Sequence, residues 1–160
     1  MSWLKNNGAD IRVKCRNGST LMHYAVLKNM LGAAKWLKEQ GVDVNAKDNE
    51  GLTPMHYAAK KRGSECVKWL KNQGAEVNIR ANDGRTPMHS SAGAWAASVE
   101  VLQWLKSEGL DINEKTKDGK TPLDLANERE ENAPDRYQVI EWLEANGAIA
   151  GKPSASFEIF

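Results

Sequence analysis

Between Gly51 and Gly84 short apolar clusters alternate with polar punctuation at a helical period. Met55, Ala58 and Ala59 fall at i, i+3 and i+4, the spacing of one buried stripe on a helix. Thr53-Pro54 stands just before them. Threonine suits the N-cap, and proline at the first helical position gives up an N–H that has no partner there. Gly63-Ser64 interrupts the pattern. A second helix is predicted over 65–72, with Cys66, Val67, Trp69 and Leu70 apolar and Lys68 and Lys71 polar. Gly74 follows as a left-handed C-cap. From Ala75 to Gly84 the chain reads as extended backbone and turn, with Asn82-Asp83-Gly84 a strong turn signal. The unit is turn, helix, short loop, helix, turn.

That unit recurs. Trp3, Trp36, Trp69, Trp104 and Trp142 are separated by 33, 33, 35 and 38 residues, and each precedes leucine, a polar stretch and glycine. Gly18, Gly51, Gly84 and Gly119 are separated by 33, 33 and 35, and open GSTLMHYA, GLTPMHYA, GRTPMHSS and GKTPLDLA. The distance from each Trp to the next anchor Gly is 15 in all four cases. The extra residues therefore fall between the two helices of a unit: two around Gly93–Ala97 and five around Glu128–Pro134. A fixed period of this length signals a stack of supersecondary units.

The period, the TPMH strings and the helix-ending glycines resemble the ankyrin repeat family over about residues 1–149. The resemblance implies an all-α solenoid of stacked helix pairs joined by β-hairpin-like turns. The expected layout is a repeat domain over 1–150, with a partial first repeat at 1–14 and about four complete repeats, then a tail at 151–160. Leu21 replaces the usual proline in the first repeat, and Asp124 the usual histidine in the last. Only a second helix, starting at Trp3, precedes the first full unit, so the chain opens mid-repeat, as expected of a domain cut from a longer protein or of a simplified cap. Phe157, Ile159 and Phe160 in the tail either dock on the last repeat or stay free of it.

Composition adds little to this picture, and charge adds more. Hydrophobic residues make up 41% of the 160, and the mean hydropathy of −0.61 implies a large polar surface. No window reaches the ~18 apolar residues of a membrane span. Net charge is +1, with 22 basic and 21 acidic side chains, which argues against bulk attraction to nucleic acid or anionic lipid. The halves differ: residues 1–80 carry +7 and residues 81–160 carry −6. Cys15 and Cys66 form no metal spacing, and isolated thiols fit a reducing compartment, so a cytoplasmic location is expected.

No catalytic constellation is present. His23, His56 and His89 are 33 residues apart, at one repeat position. The resemblance implies that this imidazole bonds neighbouring turns and ties repeats together. Rings one repeat apart stand roughly 10 Å apart, the helix-packing distance, too far for one zinc ion to bridge. Asp10, Asp43, Glu76 and Asp111 recur in register as turn residues. No enzyme activity, cofactor or metal is expected.

The candidate partner-binding residues are Lys14, Lys47, Arg80, Lys115, Tyr24, Tyr57 and Trp95. The four cations recur at intervals of 33, 33 and 35, at one position of successive turns. The family's acidic turn residue, kept at Asp48, becomes Cys15, Ala81 and Thr116. Two readings stand for this ladder: a solvated hairpin edge, or an edge that steers an acidic or phosphorylated protein partner. Lys60-Lys61-Arg62 suits a helix C-terminus on dipole grounds alone. Tyr24 and Tyr57 are expected to pack between inner helices, with part of each ring reaching the concave face where the family's partners dock. The five periodic tryptophans are expected to fill the seam between repeats. Trp95 is out of register, inside the two-residue insertion. It either faces a partner or folds back over its own repeat. The expected function is protein–protein interaction by a monomer. The alternative is a structural spacer that orients other domains of a larger chain.

Overall fold

The computed structural model describes residues 10–62 and 64–151. The expected leading helix at Trp3, the tail phenylalanines and Gly63 lie outside them. Among the described residues eight helices run in order: α1 Leu21–Leu27, α2 Leu31–Glu39, α3 Pro54–Ala59, α4 Glu65–Asn72, α5 Pro87–Ala92, α6 Val99–Ser107, α7 Pro122–Asn127 and α8 Arg136–Ala145. No strand occurs among the described residues; one isolated antiparallel bridge joins Lys14 and Thr20. The inner helices α1, α3, α5 and α7 stack in sequence, and each packs on the outer helix that follows it. Their first residues are Pro54, Pro87 and Pro122, picked out by the T-P pattern, and Leu21 at the equivalent position of the first repeat. The two insertions lie in the loops between α5 and α6 and between α7 and α8.

One apolar core runs through the stack. Met22, Met55 and Met88 are wholly buried on successive inner helices, as are Leu70, Leu105 and Leu143 on the outer ones. Each such side chain contributes about 1.5–3 kcal/mol relative to exposure. The repeating tryptophans play a shallower part than expected. Trp36, Trp69, Trp104 and Trp142 are half-buried and pack against the core from its rim, while the leucine after each is enclosed. An indole is too large for the closely packed seam that leucine fills.

Each outer helix ends alike. Gly74, at φ +85°, donates its N–H to Lys71 O, and Ala75 donates to Leu70 O, the paired bonds of a Schellman motif. The chain thereby turns sharply into the hairpin that leads to the next repeat. Consecutive hairpins are bonded tip to tip. Asn49 N–H donates to Asn17 O at 2.9 Å, Asn82 N–H to Glu50 O at 2.8 Å and Lys117 N–H to Asp83 O at 2.8 Å. The side-chain amides of Asn49 and Asn82 reach back to Arg16 O and Asn49 O, both at 3.0 Å.

The histidines stitch the inner helices together. His56 Nδ1 accepts from Thr53 N–H at 3.1 Å, and Nε2 lies 3.1 Å from Arg85 O in the next repeat. A backbone N–H only donates and a carbonyl only accepts, so the ring is the neutral Nε2–H tautomer. His23 makes the same pair of bonds to Thr20 and Leu52, and His89 to Thr86 and Lys120. Burial lowers all three pKa values, that of His56 to about 4. Both nitrogens of every ring are thus occupied, and no lone pair faces a metal.

The last repeat departs from this pattern for a physical reason. Asp124 Oδ2 accepts from Thr121 N–H at 2.7 Å, as the histidines do, but also from Gly151 N–H at 2.8 Å. Where a histidine donates to a following carbonyl, the carboxylate accepts from a following amide.

Candidate functional site

The four ladder cations all lie at exposed positions of the bonded hairpin row. Their surroundings differ. Arg80 forms an ion pair with Glu114 and reaches Lys115 O at 3.4 Å. Lys14, Lys47 and Lys115 have no ion-pair partner among the described residues. Lys14 and Lys47 share one shallow recess with Arg12 and Asp43.

The turn residue beside each cation shows how the scaffold copes without Asp48. Asp48 Oδ1 accepts from Glu50 N–H and Leu52 N–H, both at 2.9 Å, closing its own turn. In two of the other turns this work passes to a neighbour, and in the third the replacing residue, Thr116, does it. Asn17 Oδ1 accepts from Ser19 N–H, Asp83 Oδ1 from Arg85 N–H, and Thr116 Oγ1 from Lys120 N–H. Loss of the acid at Cys15, Ala81 and Thr116 therefore has a scaffold explanation. What distinguishes the ladder is its exposure and alignment alone.

Sequence treats the two tyrosines alike, and the structure separates them. Tyr57 is half-buried. Its hydroxyl donates to Asp48 Oδ2 at 2.8 Å and lies 2.9 Å from Ser19 Oγ, and its ring meets His23 edge-on at 4.9 Å. Burial, with the Asp48 charge, raises its pKa to about 12. Tyr57 is thus engaged with the preceding repeat. Tyr24 is exposed and lines an apolar recess with Leu21, Met30 and Trp36, at the first helix pair. Trp95 is 54% exposed. Its carbonyl accepts from Arg129 Nη2 at 3.0 Å. Sequence reasoning missed Arg129. It sits in the five-residue insertion, outside the periodic pattern, and only its partners in space give it a role.

Among the described residues no group of three or more His, Cys, Asp or Glu side chains could hold a metal ion. No helix there is long and apolar enough to cross a membrane. Cys15 is exposed and Cys66 buried, both as free thiols.

Comparison with curated proteins returns no match. Comparison with family models returns one that describes ankyrin repeats in three copies, matching residues 1–81 and 63–150. Such repeats are generally protein–protein interaction modules and typically non-catalytic. The matched spans take in every helix pair, each bonded hairpin and the whole histidine column, and by them the chain belongs to the ankyrin repeat family.

Proposed function

We propose that this chain is a protein-binding module whose partner presents an acidic stretch to the hairpin edge. The observation that carries the reading is the exposed cation row at Lys14, Lys47, Arg80 and Lys115, held in line by hairpins bonded tip to tip. An exposed pair with a partner carboxylate is worth only about 0–1 kcal/mol. Several cations in a row act chiefly on the encounter rate, by focusing potential along one edge. The exposed Trp95 offers the kind of large aromatic surface that dominates interfaces. Tyr24 offers another at the first helix pair. A monomer and a cytoplasmic location fit the two free thiols and a charged edge open to a partner.

The test is association kinetics with an acidic partner protein, at low and at high salt. Reversing Lys47 and Arg80 to glutamate should slow association severalfold at low salt, with little change in dissociation or stability. An unchanged rate reduces the ladder to a solvated edge. A chain that binds no partner at all supports the spacer reading.

A further inference from the structure

We propose that Lys60 is a nucleophilic lysine, a site at which an acyl thioester transfers its acyl group to the Nζ amine. This chemistry goes beyond partner binding and is independent of the hairpin edge. Lys60 closes α3 at its C-terminus and is half-buried. Its Nζ lies 5.3 Å from the centre of the Tyr57 ring. It also lines a cavity of about 470 Å³ where the end of α3 meets the hairpin at Arg85, α5 and α7. No carboxylate stands in ion-pair range of it among the described residues, whereas Arg62, Lys68 and Lys71 further along meet Asp135, Glu100 and Glu108.

A lysine becomes a nucleophile where its surroundings favour the neutral amine. Loss of water and a second cation nearby both do this. Lys60 has both. Burial is the larger cause and the Arg85 guanidinium the second, and together they lower its pKa. Glu50, Asp48 and Asp83 pull the other way and do not prevail. Glu50 and Asp83 are held in ion pairs by Arg85, and Asp48 accepts from the Tyr57 hydroxyl. His56 on the same helix and His89 on the cavity wall are neutral rings. Glu128, also on the wall, pairs with Lys120, which meets Asp118 as well. Arg129 is buried and bonded to the carbonyls of Trp95 and Pro134.

The transfer balances with the thioester alone. The neutral Nζ attacks the thioester carbonyl carbon, the C–S bond breaks and the thiolate leaves. The proton shed by the nitrogen passes through water to that thiolate. The products are an amide and a thiol, and nothing is oxidised or reduced. An acyl chain needs an apolar wall, and Ala94, Trp95 and Leu125 supply one in the same cavity. Acylation turns an ammonium into a neutral amide beside Arg85, which removes the repulsion between the two cations.

The experiment incubates the full chain with the N-acetylcysteamine thioesters of acetate and of hexanoate at about pH 7.5. It uses the Cys15→Ser variant, so that the exposed thiol cannot relay acyl groups to nearby amines. Peptide mass spectrometry at low conversion reads the acylation rate of each lysine. Lys60 should react severalfold faster than Lys47, Lys61 and Lys115, and its lead should widen with hexanoate. In urea the lead should vanish. Arg85→Gln, with an unchanged circular dichroism spectrum, should slow Lys60 and spare Lys47. Trp95→Ala, at an exposed site, should cancel the extra gain from hexanoate and leave the acetate rate unchanged. A Lys60 rate no higher than those of Lys47 and Lys115 overturns the proposal. A lead that survives urea also overturns it, because the local sequence and not the cavity would then set the rate. A lead equal for the two donors overturns the cavity as the seat of the acyl chain.

Discussion

His56→Ala separates the work of a buried neutral imidazole from that of its volume. The substitution leaves Thr53 N–H and Arg85 O, now 3.1 Å from the ring nitrogens, without their partners between two repeats. At about pH 7.5 this should cost about 1–3 kcal/mol. Acid changes the comparison. The unfolded ring titrates at 6.5 and the native one at about 4, because burial disfavours the charged form. The unfolded chain therefore binds more protons below 6.5, and native stability falls as pH drops from there toward about 4. At about pH 4.5 this linkage removes about 2–3 kcal/mol from the wild type. Alanine has no such linkage, so the difference between the two proteins should shrink to near zero or reverse. His23 and His89 shift in the same direction and remain in both proteins, so they cancel in the comparison. Urea unfolding followed by circular dichroism at both pH values, with matching m-values, measures the two differences. A variant penalty that is the same at both values would refute the neutral buried ring. No penalty at about pH 7.5 would refute its role in joining repeats.

Two further substitutions test the joints of the stack. Gly51 sits at φ +77°, and a Cβ there would lie 2.4 Å from Asn82 Oδ1 and 2.9 Å from Asn82 N. Gly51→Ala should therefore lower stability by about 1–3 kcal/mol, read as a fall of several degrees in melting temperature; an unchanged melt would refute the tight hairpin stacking. Asp124→Ala removes the acceptor shared by Thr121 N–H and Gly151 N–H. Hydrogen exchange should then speed up in α8 more than in α3, with a loss of about 1–3 kcal/mol, and uniform exchange would show that the carboxylate does not secure the last repeat.

The helices and their ends were legible in the sequence because they are settled within a few residues. The caps at Thr53-Pro54 and Gly74 act on backbone groups one turn away, and the buried stripe of Met55, Ala58 and Ala59 needs only the helical period. A period of 33 then repeats those local decisions and implies a stack. Partnerships across repeats were not legible, because they join residues about 29 to 38 apart and depend on how closely the units pack. Tyr24 and Tyr57 share the string MHYA, yet only Tyr57 has Ser19 and Asp48 of the preceding repeat against its hydroxyl. Lys47 and Arg80 share a register, yet Arg80 alone meets a carboxylate, Glu114. Trp95 carried two readings in sequence, and nothing local announced that Arg129, in the next repeat, donates to its carbonyl. Local backbone chemistry thus determined the repeat, while packing distance between repeats decided which side chains are spent on the scaffold and which remain open to a partner.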